Sequence, residues 1–119
     1  MTNQEAFDKM MKHLRSLEER SFDESRDACV YNGSKCAIGA LMTDEEQERF
    51  GDYHGGVDGL GRIMSRVGYT STLHDLDPWL LIDMQNLHDV EDSWSDEGFI
   101  AEWEAKIVAN RYNLIYTKP

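Results

Sequence analysis

The sequence predicts a mainly α domain (α+β) of four to five helices with one short β-hairpin at about residues 28–37. Three observations lead to this fold class. Apolar residues recur at helical spacing, several of these stretches open with a helix-capping pattern, and an Asn-Gly pair lies between short β-tolerant arms. The length of 119 residues, with 40% hydrophobic residues, fits a single compact domain over 1–119. No apolar run approaches the roughly 20 residues of a membrane span, so no membrane contact is expected.

The first helix is predicted over about residues 3–19. Thr2 followed by Glu5 forms a capping-box pattern at its start. Residues 20–27 show no clear period and are interpreted as a loop or a short turn. The buried stripe of this helix is predicted to contain Phe7, Met10, Met11, Leu14 and Leu17.

The hairpin prediction rests on Asn32-Gly33, because both residues accept the positive φ angles of a type I′ turn. With these two as the loop, Cys29 faces Cys36 across the ladder. Counting outward makes the two cysteines a hydrogen-bonded pair, with Cα atoms roughly 5.5 Å apart. The two thiols are therefore expected on one face of the hairpin.

Small apolar residues at 36–42 indicate a short buried helix. Thr43 with Glu46 is a second capping box, which opens a brief acidic helix over about 44–50.

After a glycine-rich loop, a further helix is predicted over 57–67. Gly59 and Gly61 weaken it by about 1 kcal/mol each. Its apolar stripe consists of Leu60, Ile63, Met64 and Val67.

Asp77-Pro78 predicts a sharp helix start, with Asp77 as N-cap and Pro78 at the first helical position. One side of this helix carries Leu80, Leu81, Met84, Leu87 and His88.

The last helix follows a polar stretch. Asn113 suits a left-handed C-cap for it, and residues 114–116 are predicted to form a short strand on the hairpin. The buried face is predicted to comprise Phe99, Ile100, Trp103, Ile107 and Leu114.

The net charge of −11 is concentrated in one segment. Residues 67–105 contain ten carboxylates and no Lys or Arg, so this segment carries −10 of the total. Such a surface repels phosphates and attracts basic proteins, which argues against direct nucleic-acid binding. The alternative is a solvated face that keeps the protein soluble.

Trp94 lies within this segment and outside the helical stripes. A tryptophan with a polar rim is typical of an interface hot spot. The predicted partner-binding set is therefore Trp94 with Glu91, Asp92, Asp96 and Glu97. The alternative for Trp94 is a loop side chain folded back onto the core.

Two motifs resemble those of a protein family. The first reads C-x-Y at 29–31 and continues as K-C-A-I-G-A-L-M-x-D-E over 35–45. The second reads L-x-x-M-Q-x-x-H-D over 81–89. Together they are similar to motifs in small, functionally uncharacterised proteins of tailed phages and prophages, over roughly residues 29–114. The chain departs from that family in its very short Asn-Gly loop. The resemblance implies a phage-encoded protein in the host cytoplasm and supplies no chemistry.

Cys36 is the candidate nucleophile of an alternative enzymatic function. It lies where a strand would pass into a helix, and a helix N-terminus lowers the pKa of a thiol. His88 could serve as base, with Gln85 on the same helical face as the orienting group. Such a set would make the protein a cysteine-dependent hydrolase or transferase. Buried, unreactive thiols and a satisfied core histidine are the competing interpretations.

A zinc site is a further alternative. Cys29 and Cys36 could combine with two of the histidines at 54, 74 and 88, but a structural zinc site usually has a second close ligand pair. We therefore predict no metal and no cofactor.

The function predicted from the sequence is that of a phage accessory protein. It would bind a host or defence protein with a basic surface, and it could compete there with nucleic acid. An N-terminus without an apolar leader and only two cysteines favour the host cytoplasm.

Overall fold

Five α-helices make up most of the described chain, and this confirms the predicted mainly α fold class. The computed structural model describes residues 1–17, 37–50, 53 and 56–119, and the backbone of 22–23 and 28–29. The helices are α1 Asn3–Ser16, α2 Asp44–Phe50, α3 Val57–Arg66, α4 Pro78–Asp89 and α5 Glu102–Arg111. The strands are β1 Phe22–Asp23, β2 Ala28–Cys29, β3 Trp94–Ser95 and β4 Gly98–Phe99. Short 3₁₀ turns occupy Gly39–Leu41, Thr72–Asp75 and Glu91–Ser93.

Three helices begin at the caps that the sequence predicts. At α1, the Glu5 amide donates to the Thr2 hydroxyl at 3.1 Å, and the Thr2 amide donates to the Glu5 carboxylate at 2.9 Å. Thr43 and Glu46 repeat this reciprocal pattern at α2. At α4, Asp77 accepts from the Trp79 amide at 2.9 Å. Each cap satisfies amides that the first helical turn leaves without a partner, so a local sequence pattern suffices to locate it.

The centre of the core lies between α1, α3 and α4. Their inward stripes match the predicted ones except at Val67, because each repeats at helical spacing with polar residues on the other side. Val67 was predicted in the stripe of α3 but is 57% exposed, since the helix ends at Arg66. The side chains buried there with at most 1% exposure include Phe7, Met10, Leu14, Leu60, Met64, Leu80 and Met84. The short turn before α2 adds Ile38 and Leu41 to the same core.

Strand β2 pairs antiparallel with β1, with Phe22 opposite Cys29 and Asp23 opposite Ala28. The prediction of a loop over 20–27 was therefore wrong at 22–23. The predicted Asn32-Gly33 turn, and with it the pairing of Cys29 with Cys36, lies outside the described residues.

A second small hairpin, β3–β4, was not predicted. Trp94 lies opposite Phe99 and Ser95 opposite Gly98. Gly98 has a φ of 103°, a backbone conformation that favours glycine. Asp96 and Glu97 form the tip of this hairpin, which leads directly into α5.

The buried face of α5 is made of small residues, and this corrects the sequence prediction. Ala105 and Ala109 are fully buried, whereas Ile100, Trp103 and Ile107 are 53%, 69% and 43% exposed. The helix contacts α4, and the small side chains are the ones that it buries. Because both stripes repeat at helical spacing, the pattern alone cannot say which of them faces inward.

The end of α5 agrees with the sequence at its cap and differs beyond it. Asn113 adopts the predicted left-handed conformation, with a φ of 57°, and the Leu114 amide closes the helix on the Ala109 carbonyl at 2.8 Å. The predicted strand at 114–116 does not form. Instead, the Gln4 side chain of α1 accepts from the Ile115 amide at 2.8 Å and donates to its carbonyl at 3.0 Å.

The packing of α3 explains why position 59 is a glycine. A Cβ at this position would lie 2.2 Å from the Tyr53 hydroxyl oxygen, whereas a Cβ at Gly61 would meet only the His74 Nε2 atom at 3.9 Å. Gly59 therefore makes room for Tyr53, while Gly61 faces a cleft.

Candidate functional site

A buried polar cluster lies at the C-terminal end of α4. His88 is completely buried and Gln85 is 4% exposed. The Asp89 Oδ1 atom receives both the Gln85 amide at 2.9 Å and the His88 Nδ1 atom at 3.0 Å. One carboxylate thus orients two of the side chains that the sequence singles out.

The cluster changes the roles predicted for the cysteine enzyme. Asp89, rather than Gln85, is the group in contact with the His88 ring. Gln85 instead accepts from the Ile38 amide at 3.4 Å and so ties the segment before α2 to α4. The adjacent pair His88-Asp89 was visible in the sequence, but neighbouring helical residues do not usually face each other. Cys36, the predicted nucleophile, lies outside the described residues.

Trp94 is packed against the core rather than presented to solvent. Its indole Nε1 atom donates to the His88 carbonyl at 2.8 Å. Its ring meets the rings of His88 and Phe99 edge to face, with centroids 5.7 and 5.5 Å apart. The position favours the alternative interpretation, a loop tryptophan folded back onto the core, over an exposed hot spot.

The four predicted acidic contacts are exposed, and we call them together the acidic turn: Glu91, Asp92, Asp96 and Glu97. None of their carboxylates forms a hydrogen bond or ion pair with another described residue. The short 3₁₀ turn and the β3–β4 hairpin hold them on the connection between α4 and α5. Among the residues that the structure describes, no basic side chain neutralises these four negative charges.

Other carboxylates of the acidic segment are engaged within the fold. Asp83 binds Arg111 at 2.7 Å, and Glu102 binds Arg15 at 2.6 Å. Asp83 also accepts from the Tyr112 hydroxyl, and burial together with this hydrogen bond raises the pKa of Tyr112 to about 12. The negative charge is thus partly used to join helices, and only part of it faces solvent.

An exposed apolar strip on α5 adjoins the acidic turn. Trp103 and Ile107 lie one turn apart on the same side of α5, and Ile100 lies just before the helix. We call these three exposed side chains the α5 apolar face. Lys106 lies 5.8 Å from the centre of the Trp103 ring. Ile100 directly follows the β3–β4 hairpin, and its amide donates to the Ser93 carbonyl at 2.8 Å. This backbone contact makes the acidic turn and the apolar face neighbours. The sequence pattern does not indicate this face, because helical spacing alone predicts these residues inside the core.

Within the described part of the chain, no group of three or more His, Cys, Asp or Glu side chains could hold a metal ion. Cys36 and His54, two members of the alternative zinc set, lie outside that part. No described helix is long and apolar enough to cross a membrane.

Comparisons with protein-family models, with curated proteins and with solved structures find no match for this chain. The resemblance to small phage proteins therefore stays a prediction from two motifs.

Proposed function

We propose that this chain is a phage-encoded accessory protein that binds a host or defence protein stoichiometrically. The contact would be made by the acidic turn and the α5 apolar face together. The partner would present a basic surface with an apolar centre. Where that surface also binds nucleic acid, the acidic turn would compete with the phosphates.

The observation that carries the proposal is the exposure of Trp103, at 69%, on the helix that follows four exposed carboxylates without a partner among the described residues. Tryptophan is enriched at interface hot spots, which are ringed by polar residues that exclude water. Trp103, with Ile100 and Ile107 on either side, replaces Trp94 as the proposed anchor. The carboxylates would steer a basic partner toward the face and reject acidic ones.

The acidic turn supports a protein partner over direct nucleic-acid binding. Nucleic-acid affinity depends on Lys and Arg that displace counterions from phosphates. Among residues 91–107 the only basic side chain is Lys106, which lies over Trp103. A phosphate backbone would thus meet repulsion at this surface.

Reversing Glu91, Asp92, Asp96 and Glu97 to Lys is expected to weaken partner binding at least tenfold, because attraction becomes repulsion at each position. The partner would be captured from host lysate and purified, and its binding then measured by calorimetry at low and high salt. A one-to-one stoichiometry and weaker binding at high salt are expected for the wild-type protein.

A control variant reverses Asp8, Glu45, Glu48 and Asp75, which are also exposed and change the net charge equally. It should bind as the wild type does. Equal losses in both variants would show that only net charge matters and would refute a defined site. Unchanged binding by the first variant would remove the acidic turn from the proposal.

The buried cluster favours a cysteine-dependent hydrolase or transferase as the second candidate function. Asp89 holds the His88 ring in the way that an orienting carboxylate holds a catalytic base. In that case a thiol probe near neutral pH should label Cys36 rapidly, and His88→Ala should abolish the fast labelling. The labelling is followed by mass spectrometry, with Cys29 as the internal comparison. Slow labelling of Cys36 in the folded wild-type protein would exclude this function.

A further inference from the structure

A cleft of about 340 Å³ lies between α3, the 3₁₀ turn at Thr72–Asp75 and the start of α4. Its volume is at the lower end of the range for small-molecule sites. The lining is mainly apolar, and its apolar part consists of Val57, Gly61, Leu73, Leu76, Pro78 and Leu81. Because Gly61 has no side chain, α3 leaves the middle of the cleft open.

The polar groups of the cleft lie at its lip. Arg62 forms an ion pair with Asp58 at 3.2 Å, and the two side chains are 75% and 59% exposed. An ion pair this exposed is weak, so the Arg62 guanidinium can exchange Asp58 for another carboxylate. Arg62 thus offers a positive charge next to an apolar cavity.

His74 and Ser65 add a hydrogen-bond donor beside Arg62. The His74 Nδ1 atom accepts from the Ser71 amide at 3.1 Å, so the hydrogen of the neutral ring is on Nε2. The Nε2 atom lies 3.2 Å from both the Ser65 hydroxyl oxygen and the Gly61 carbonyl oxygen. The one hydrogen on Nε2 is directed at both of these oxygens, of which the Gly61 carbonyl can only accept, and the Ser65 hydroxyl can rotate its own hydrogen toward a ligand.

We infer that the cleft binds a small molecule with a compact apolar body and a carboxylate head. The apolar body would fill the space over Gly61, and the carboxylate would take hydrogen bonds from Arg62 and Ser65. The inference is independent of the proposed partner binding, because none of these residues belongs to the acidic turn or the α5 apolar face.

The probe for this inference is phenylacetate, with the neutral phenylacetamide and the zwitterion phenylalanine as comparison compounds. Binding is followed by amide chemical shifts in two-dimensional NMR spectra of the full chain. Phenylacetate should bind in the millimolar range and shift the amides of Gly61, Ser65 and His74. Phenylacetamide should bind more weakly, because it lacks the charge that Arg62 recognises.

Variants test each part of the site. Arg62→Gln should weaken phenylacetate binding about fivefold, and Asp58→Asn should strengthen it about twofold, because Arg62 loses its competing partner. Both side chains are exposed, so these variants are expected to fold. Gly61→Leu should block the cleft, while Gly61→Ala, whose Cβ meets only an ordinary contact, should still bind.

Three outcomes would overturn the inference. The first is an absence of shifts at the cleft with phenylacetate, and the second is equal binding of phenylacetamide. The third is tighter binding of phenylalanine that Asp58→Asn weakens, since this would assign a zwitterion to the Asp58–Arg62 pair instead.

Discussion

Trp94→Ala is expected to lower the free energy of unfolding by about 3 kcal/mol, the lower end of the cost for removing a large aromatic side chain. The ring packs edge to face against His88 and Phe99, and its Nε1 atom donates to the His88 carbonyl. The substitution removes all of these contacts and leaves a gap beside the buried polar cluster. Urea unfolding followed by circular dichroism measures the loss.

Trp103→Ala is the matched variant, and it should change the free energy of unfolding by less than about 0.5 kcal/mol. The substitution removes little beyond the contact with Lys106, because most of the Trp103 side chain already faces solvent. For the affinity of the proposed partner, Trp103→Ala is the substitution with the larger expected effect. Trp103→Ala should weaken the proposed partner contact about thirtyfold, the effect of a typical hot-spot residue.

Quenching of tryptophan fluorescence by acrylamide tests the two positions without a partner. In variants that keep a single tryptophan, Trp103 should be quenched readily and Trp94 poorly. If Trp94 were the readily quenched residue, or if Trp103→Ala destabilised the protein as strongly as Trp94→Ala, the assignment of the α5 apolar face would be wrong.

The two tryptophans show where sequence patterns stop being informative. Capping boxes such as Thr2–Glu5 involve residues three apart, so the chain places both partners automatically, and these helix starts were predictable. The orientation of α5 depends instead on how closely its small residues can approach α4. Two apolar stripes on one helix satisfy the same periodicity, and only packing against the neighbouring helix decides between them.

In the candidate site, too, some features follow from the sequence and others depend on packing. The acidic turn could be found from composition, since a segment with ten carboxylates and no Lys or Arg carries local negative charge. Composition does not show which of these carboxylates form ion pairs in the fold. Arg15 and Glu102 lie 87 residues apart in the chain, and only the packed helices bring them together. Asp89 was likewise hidden as the partner of His88, because the contact depends on side-chain conformations.

Glu102→Gln is expected to lower the free energy of unfolding by about 1 to 2 kcal/mol at neutral pH. Glu102 receives two hydrogen bonds from Arg15, at 2.6 and 3.0 Å, and a third from the Tyr116 hydroxyl at 2.6 Å. Arg15 also donates to the Thr117 carbonyl at 2.8 Å, so the pair fastens the C-terminal segment to α1 and α5. Each side chain is about a quarter exposed, which keeps the expected loss below that for a fully buried pair.

The free energy of unfolding that Glu102→Gln loses should depend on pH, and the direction follows from the shifted pKa of Glu102. Partial burial raises the pKa of Glu102, but the hydrogen bonds from Arg15 and Tyr116 and the charge of Arg15 outweigh it, so the pKa is lowered. A carboxyl group with a lowered pKa in the folded state stabilises the protein above its unfolded pKa. This stabilisation is lost as the pH falls through the folded value. The wild type and Glu102→Gln should therefore differ fully above pH 4.5 and converge at more acidic pH.

Glu104→Gln is the control, because Glu104 lies two residues further along α5, is exposed, and has no partner among the described residues. Urea unfolding of the three proteins across the acid range separates the two positions. The Glu104 variant should follow the wild type at every pH, since the substitution removes no contact with another described residue. A constant difference between wild type and Glu102→Gln down to the most acidic pH would mean that the Glu102 charge contributes nothing. The C-terminal segment would then be held by Gln4 and by the uncharged contacts of Tyr116, and the pairing with Arg15 would be incidental to stability.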